Sequence, residues 1–523
     1  MTSETEPRKR PQHTTADAPV VIIGAGPAGL TAALELCRLS IPVLVVEADD
    51  CVGGLARTVE YKGFRFDIGG HRFFTKMPAV QQMWRAMLGP DLLRRPRLSR
   101  IFYDRAFYNY PLKPLNALRN LGPSRSLAIL ASYARARLRP IHPEESFEDW
   151  ICNRFGRRLY RTFFETYTEK VWGIPGRNIS ARWAAQRIRN FSLGTAIARM
   201  LTPWRGRRSG SVVTTLIEEF EYPRLGPGMM WEAFASEIER LGGRVQLKTR
   251  VSAIVNDGRT VGGVRLESEG RQWDQPASSV ISTMPLSHLV EGLGTAPPST
   301  VREAARSLTY RDFLTVALIV DQADVFPDNW IYIHDSTVKV GRIQNFKNWS
   351  PDMVPDQSQT CLGLEYFFTA GDALSGLSDR ELIRLATEEL GQIGLVDVAR
   401  VVDGTVVRAP KAYPVYDDAY AAAVLEIRGY LTRFENLLTI GRNGTHTYNN
   451  QDHSMVMGML AARTLMGERH DLWTVNSEDE YLEDQADSAR PGGFDARQLA
   501  STQPLLPEVL ARQGYTEPRV TVT

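Results

Sequence analysis

The sequence predicts an α/β fold built on a discontinuous, Rossmann-like dinucleotide-binding domain, and three observations carry that expectation. Residues 20–30 read VVIIGAGPAGL, an apolar run ending in G-x-G-x-x-G at Gly24, Gly26 and Gly29. A helix-compatible stretch, 30–39, then leads into a second apolar run, 42–46, which delivers Glu47 18 positions after the last glycine. Much later, 437–442 is again a strand-like run ending in glycine before a helical stretch, so residues near the C-terminus are expected to close the same domain.

The order strand, glycine turn, helix, strand, acid is what a nucleotide-binding βαβ unit needs. One glycine permits the turn, one lets the backbone approach a pyrophosphate, and one allows close helix–strand packing. Pro27 and Ala28 open the helix whose amides face the phosphates, and Glu47 takes the ribose hydroxyls. A glutamate there, rather than an arginine-bearing loop, fits an unphosphorylated ribose. Gly53, Gly54, Leu55, Ala56 and Arg57 follow at once and favour a flavin over a nicotinamide dinucleotide, so FAD, held without a covalent link, is the expected cofactor. Val251 is a further expected cofactor contact.

Residues 77–207 read as mostly helical, with Trp84, Trp150, Phe163 and Phe164 among the large apolar residues. Short strands and glycine turns take over near Thr214: 244–255, 262–267, 280–284, 313–320, 330–334 and 360–367, with helices at 229–241, 379–393 and 454–465. The expected division is a disordered segment 1–18, FAD-binding parts at 19–95, 208–295 and 426–476, a helical substrate or cap domain at 96–207, a mainly antiparallel sheet substrate domain at 296–425, and a peripheral tail at 477–523.

A net charge of +2 on 523 residues argues against general nucleic-acid binding. The arginines are unevenly spread, however: Arg94, Arg95, Arg97, Arg100, Arg105, Arg119, Arg125, Arg135, Arg137 and Arg139 crowd one segment. A solvated helical face, a field that draws in an anionic substrate, and peripheral contact with an anionic membrane all account for them. Cys37, Cys51, Cys152 and Cys361 lie scattered, as reduced thiols of a cytoplasmic protein would. No stretch approaches the roughly 18–20 apolar residues of a membrane span. A soluble homo-oligomer is expected.

Several constellations bear on chemistry. In GGHRFF, 69–74, Gly69 and Gly70 let the backbone approach a ligand and bring His71 toward the flavin ring; a histidine bound in a turn is the ordinary alternative. Arg342 is expected in a loop, where it either clamps a diphosphate or is a plain surface arginine. The segment 441–454, GRNGTHTYNNQDHS, follows a strand and opens a helix, where amides suit flavin or phosphate oxygens. It supplies Gly441, Arg442, Asn450, Gln451, Asp452 and Ser454 as further cofactor contacts. His446 and His453 stand 7 apart in a polar loop without other ligands, so no metal site is expected.

Taken together, GGHRFF, Tyr110-Pro111, YTEKVWGIP at 167–175, Arg187, NFKNWSP at 345–351, Tyr413-Pro414 and GRNGTHTYNNQDHS resemble, in order, the flavin-dependent UDP-galactopyranose mutases, especially the eukaryotic type. The resemblance covers about 20–467. The nucleotide unit and GGLA are shared with the wider amine oxidase and protoporphyrinogen oxidase-like flavoproteins. Position by position, the resemblance implies that His71 lies beside the flavin and Arg187 near the sugar. It implies that Arg342, Tyr413 and Tyr448 hold the substrate diphosphate, and that Phe163, Tyr167 and Thr168 surround the base. Tyr110, Trp172 and Asn345 also fall at substrate positions. Departures exist. Trp349 replaces the family's mobile-loop tyrosine, Lys113 its glutamine and Thr168 an asparagine, and the loop between Tyr448 and Asn450 is two residues shorter. The base and the sugar stay open.

The activity so implied is interconversion of pyranose and furanose forms of a nucleotide-diphosphate sugar. Reduced flavin N5 attacks the anomeric carbon, and a covalent adduct opens and recloses. FAD is active when reduced, and NAD(P)H serves only as a reductant. The alternative is a net-redox flavoenzyme, an amine oxidase-like dehydrogenase or desaturase acting on a sugar-linked, lipid-linked or secondary-metabolite substrate.

Overall fold

A computed structural model describes residues 18–110, 112, 114–181, 219–417 and 419–475. The fold is α/β. A five-stranded sheet runs in the order Leu437–Thr439, Ser279–Ser282, Val20–Ile23, Val43–Val46, Arg244–Gln246, and every pairing in it is parallel. Both faces of such a sheet are covered, which is why VVII and VLVV are continuous apolar runs rather than alternating ones. Helices Pro27–Arg38, Gly228–Arg240 and Gln451–Leu465 pack one face. Helices Leu286–Glu291, Ser299–Ser307 and Tyr420–Leu431 pack the other, together with an antiparallel sheet of Arg250–Asn256, Val261–Ser268 and Arg271–Pro276. Gly458 lets two helices touch, since a Cβ there would lie 2.9 Å from the Ala32 amide nitrogen.

The second sheet has seven strands, in the order Val401–Pro414, Tyr310–Val320, Thr360–Phe368, Arg342–Asn345, Trp330–Ile333, Ser99–Tyr103, Ala106–Asn109. All pairings are antiparallel except that of Trp330–Ile333 with Ser99–Tyr103. Helices Phe147–Phe155, Arg157–Phe163 and Glu165–Trp172 share a core with this sheet through Phe313, Phe367 and Ala412.

Two expectations are refined here. The described part of 77–207 is mostly helical as expected, but strands interrupt it: Leu92–Pro96 pairs with Glu219–Pro223, and 99–109 is a hairpin on the edge of the large sheet. The signal was the two-residue turn Asp104-Arg105, both at positive φ (50 and 58), which the twist of a tight hairpin requires. Consequently Arg94, Arg95, Arg97 and Arg100 sit on or beside strands, not on a solvated helix. Arg100 grips the buried Asp328 with Nε–Oδ1 and Nη2–Oδ2 distances of 2.8 and 2.5 Å, and Arg97 lies over the rings of Tyr110 and Trp330. Second, the last helix starts at Gln451 rather than 454, which puts Gln451 and Asp452 in its first turn.

Candidate cofactor and substrate site

Four parallel strands end at one cavity of about 1140 Å³: Gly24, Glu47, Thr283 and Gly441, each beyond the carboxyl end of its strand, all line it. This is where open α/β sheets bind ligands. Gly24 has φ +99, and a Cβ on it would strike the Thr283 hydroxyl, which donates to the Ile23 carbonyl at 2.8 Å. Gly29 lies under the Gly24 carbonyl and does not line the cavity. Gly26 is different: a Cβ there meets nothing within 4 Å, so the space over it belongs to a ligand. Glu47 Oε2 accepts from the Ala25 amide at 2.7 Å and Oε1 from the Asp49 amide at 2.9 Å, which fixes the carboxylate at the cavity mouth. The helix starts at Pro27 and Gln451 both border the same space.

These residues fit FAD: a glycine without a neighbour at the pyrophosphate position, an acid at the second strand end, and two helix N-termini. Pro27, Ala28, Gly54, Leu55, Ala56, Arg57, Gly70, Gly441, Arg442, Asn450, Gln451, Asp452 and Ser454 also line the cavity. Val251 does not; it is packed in the core under the small antiparallel sheet.

At the other end of the cavity, His71 lines the wall with its Nδ1 buried and without a hydrogen-bond partner among the described residues. Burial, with the nearby Arg442 and Arg342 charges, pushes its pKa down to about 3, so the imidazole is neutral. Arg342 stands on a strand, not in a loop. Its Nε donates to Glu365 Oε2 at 2.5 Å, directly across the ladder, and Gln344 Nε2 donates to the other oxygen at 2.7 Å. That pairing holds the guanidinium well above its ordinary pKa against the cost of burial. Its two Nη groups make no hydrogen bond to the described residues and are free for a ligand.

Tyr413 and Tyr448 stack with ring centroids 5.7 Å apart, and the Arg442 guanidinium lies 4.4 Å from the Tyr448 centroid. Arg442 itself donates to the Ala412 carbonyl at 3.0 Å and twice to the Asn449 carbonyl, so it ties the 449 loop to a strand end. Burial pushes Tyr413 up to about 12; at neutral pH its hydroxyl keeps its proton.

The other expected substrate residues divide. Trp349 borders the cavity, but it is packed on Trp330 and its Nε1 donates to the Asn329 carbonyl at 3.0 Å, so it offers a ligand a flat face and no donor. Asn345 is turned into the core, where its Nδ2 donates to the Phe326 carbonyl, because strand parity puts 342 and 344 on one face and 345 on the other. Tyr110, Phe163, Tyr167, Thr168 and Trp172 do not line the cavity. Phe163 and Trp172 are core, Thr168 is buried on its helix, and Tyr110 packs edgewise near Tyr332. Lys113 and Arg187 lie outside the described residues. Unforeseen members of the wall are Thr283, Gln344, Trp330 and Tyr332. Gln344 was recoverable from its i,i+2 spacing to Arg342 once that stretch is read as a strand.

Behind the wall, Tyr167 stacks on His334 at 4.7 Å, and burial beside the Lys170 ammonium pushes His334 down to about 3. An unfolded imidazole titrates near 6.5, so between these values the unfolded chain binds one proton more. Stability from this site is therefore full above 6.5 and is lost as pH falls toward 3. His334→Phe keeps the stack and removes the proton. The acid-side fall in unfolding free energy should become shallower by about 1.4 kcal/mol per pH unit, as read by denaturant titrations across that window; an unchanged slope would show that His334 is protonated in the folded state.

Comparison with known proteins yields a consistent set of likenesses. Residues 27–417 match the flavin containing amine oxidoreductases as a family. A lycopene-forming phytoene desaturase of Pantoea ananas is 25% identical over 316 residues, 56% of this chain. The match spans 61% of that protein, so about three fifths of the length of this relative is represented. Among solved structures, a reduced UDP-galactopyranose mutase superposes with a TM-score of 0.76 at 21% identity, over 88% of this chain and 98% of the other. A putrescine oxidase bound to putrescine gives 0.57 at 16% identity, over 86% and 99%.

Proposed function

The chain belongs to the flavin containing amine oxidoreductases, and from that premise we propose that this flavoenzyme interconverts the ring forms of a nucleoside diphosphate sugar. The observation that carries the reading is the Arg342 guanidinium. It is anchored through Nε to Glu365, and both Nη groups are left to a ligand in a cavity that also presents two tyrosine hydroxyls and a neutral imidazole. Guanidinium and hydroxyl donors suit a diphosphate, and the guanidinium offers a protonated amine no acceptor. It gives a carotenoid hydrocarbon nothing to pair with. The whole-length likeness to a mutase structure supports the same reading at the level of the fold.

FAD, when reduced, supplies an electron-rich N5 able to exchange with the diphosphate at the anomeric carbon, and NAD(P)H is the reductant we propose for it. The chain's own part is to hold the leaving group and orient the sugar. Arg342 takes phosphate oxygens through its fork, and the Tyr413 and Tyr448 hydroxyls donate to them. Trp330, Trp349 and Tyr332 wall the space with rings. Gly70 packs its backbone against this wall, since a Cβ there would lie 2.9 Å from Gln344 Nε2 and 3.3 Å from Trp349.

The desaturase relative favours a second reading, net redox chemistry at the same flavin. The two separate cleanly under nitrogen with limiting dithionite and a panel of nucleotide sugars, with ring form read by NMR. The mutase reading expects many product molecules per electron pair supplied. One electron pair per product there, or oxygen uptake coupled to turnover in a parallel run in air, would establish the redox reading instead.

A further inference from the structure

Among the described residues the arginine-rich segment takes no part in the cavity, yet it has an organisation of its own. From Arg105 to Pro143 the sequence has no acidic residue and seven basic ones: Arg105, Lys113, Arg119, Arg125, Arg135, Arg137 and Arg139. Most of this stretch is the helix Pro114–Leu138, kinked at Gly122 (φ 76) before Pro123. Its later part has one partnered face: Ser126 and Ile129 are buried, and Gly156 brings the start of the helix Arg157–Phe163 against Tyr133. The opposite face is apolar and open. Leu127, Leu130 and Leu138 are 67%, 38% and 82% exposed, and Ala131 and Ala134 lie exposed between them. At 3.6 residues per turn these five positions fall within an arc of about 100°, with Arg135 on one side and Arg137 on the other. Arg135, Arg137 and Arg139 have no acidic partner among the described residues; Arg125 pairs with Asp104.

We infer that this helix face docks on the surface of an anionic lipid bilayer. An apolar stripe bordered by unpaired arginines is the pattern of a helix that lies in the plane of the membrane, leucines among the acyl chains and guanidiniums at the phosphates. Binding is peripheral, as no described helix is long and apolar enough to cross a membrane. A second copy of this chain is the poorer occupant. A two-fold contact through this stripe would set the arginines of one copy against those of the other with no acid between them.

The test is co-sedimentation of the full chain, loaded with its cofactor, with vesicles of phosphatidylcholine alone or mixed with phosphatidylglycerol. Binding is expected only to the anionic vesicles and should weaken as salt is raised. The triple variant Arg135→Gln, Arg137→Gln, Arg139→Gln should partition about 100-fold less, from roughly fivefold per arginine. Leu127→Asp with Leu130→Asp should also release the protein at low salt, with FAD content unchanged as the measure of folding. The inference fails if the unaltered protein ignores anionic vesicles, or if the triple variant binds them equally well. It fails equally if light scattering shows an oligomer that the leucine variant dissolves, for then a second copy covers the face.

Discussion

Arg342→Ala is expected to weaken binding of a nucleoside diphosphate by one to two orders of magnitude while FAD stays bound. The two Nη groups would make charge-assisted hydrogen bonds to phosphate, each worth about 1.5–3 kcal/mol, and about 1.4 kcal/mol is a factor of ten in affinity. The change also strips the buried Glu365 of its cation. Burial already raises the Glu365 pKa, so the carboxyl would take up a proton and keep its bond to Gln344. Breaking a buried pair can still cost about 3–5 kcal/mol of stability. For that reason Arg342→Ala should be compared with Arg342→Ala/Glu365→Gln, in which no uncompensated charge remains. Both should lose nucleotide affinity to the same degree, measured by fluorescence polarisation, with flavin absorbance as the control. Arg342→Lys should restore only part of it, because lysine keeps the charge without the fork. Unchanged affinity in the double variant would remove Arg342 from the diphosphate site.

Gly26→Val should cut FAD retention at least tenfold in a protein that still folds. The backbone at Gly26 has φ −81 and ψ −179, a conformation open to any residue, and no protein atom lies within 4 Å of a Cβ placed there. The valine Cβ therefore enters space left for the ligand, and crowding of that kind costs about 1–3 kcal/mol or more, one to two decades in affinity. Acid precipitation of the unaltered protein should release FAD, and the same treatment of the variant should release at least tenfold less. Gly29→Val is the informative contrast. Its Cβ would be driven into the Gly24 carbonyl, so that variant should lose the fold along with the cofactor. If Gly26→Val holds FAD normally, the pyrophosphate lies elsewhere.

What the sequence disclosed about the site was mostly backbone. Gly24, Gly26 and Glu47 are legible because a left-handed φ, a close approach and a strand-end acid each demand one residue type. Side chains whose role depends on which way a strand faces were not legible. Arg342 and Asn345 are three apart, and reading the stretch as a loop left their opposite orientations invisible. The hairpin at 99–109 was hidden among large apolar residues that fit a helix as well as a strand, since periodicity in so short a run cannot separate the two. The aromatic positions Phe163, Tyr167 and Trp172 illustrate a different limit. A similarity of motif fixes where a ring sits along the chain, but whether it faces a ligand or the core depends on packing against Tyr103, Tyr108 and Tyr413, which are distant in sequence.

The order of strands in the parallel sheet has a consequence for how the protein is made. Its central strand, Val20–Ile23, is synthesised first of the five, while the edge partner of Ser279–Ser282, the strand Leu437–Thr439, is synthesised last of them. At roughly 5–20 residues per second, about 20 to 80 s separate the two on the ribosome. Through that interval the nascent chain carries VVII and VLVV without the helix Gln451–Leu465 that covers them, and a nucleotide meets only part of the wall that would retain it. The cavity wall is therefore complete only once 437–454 has been made, and strands left unpaired until then are the kind of edge that joins neighbouring chains.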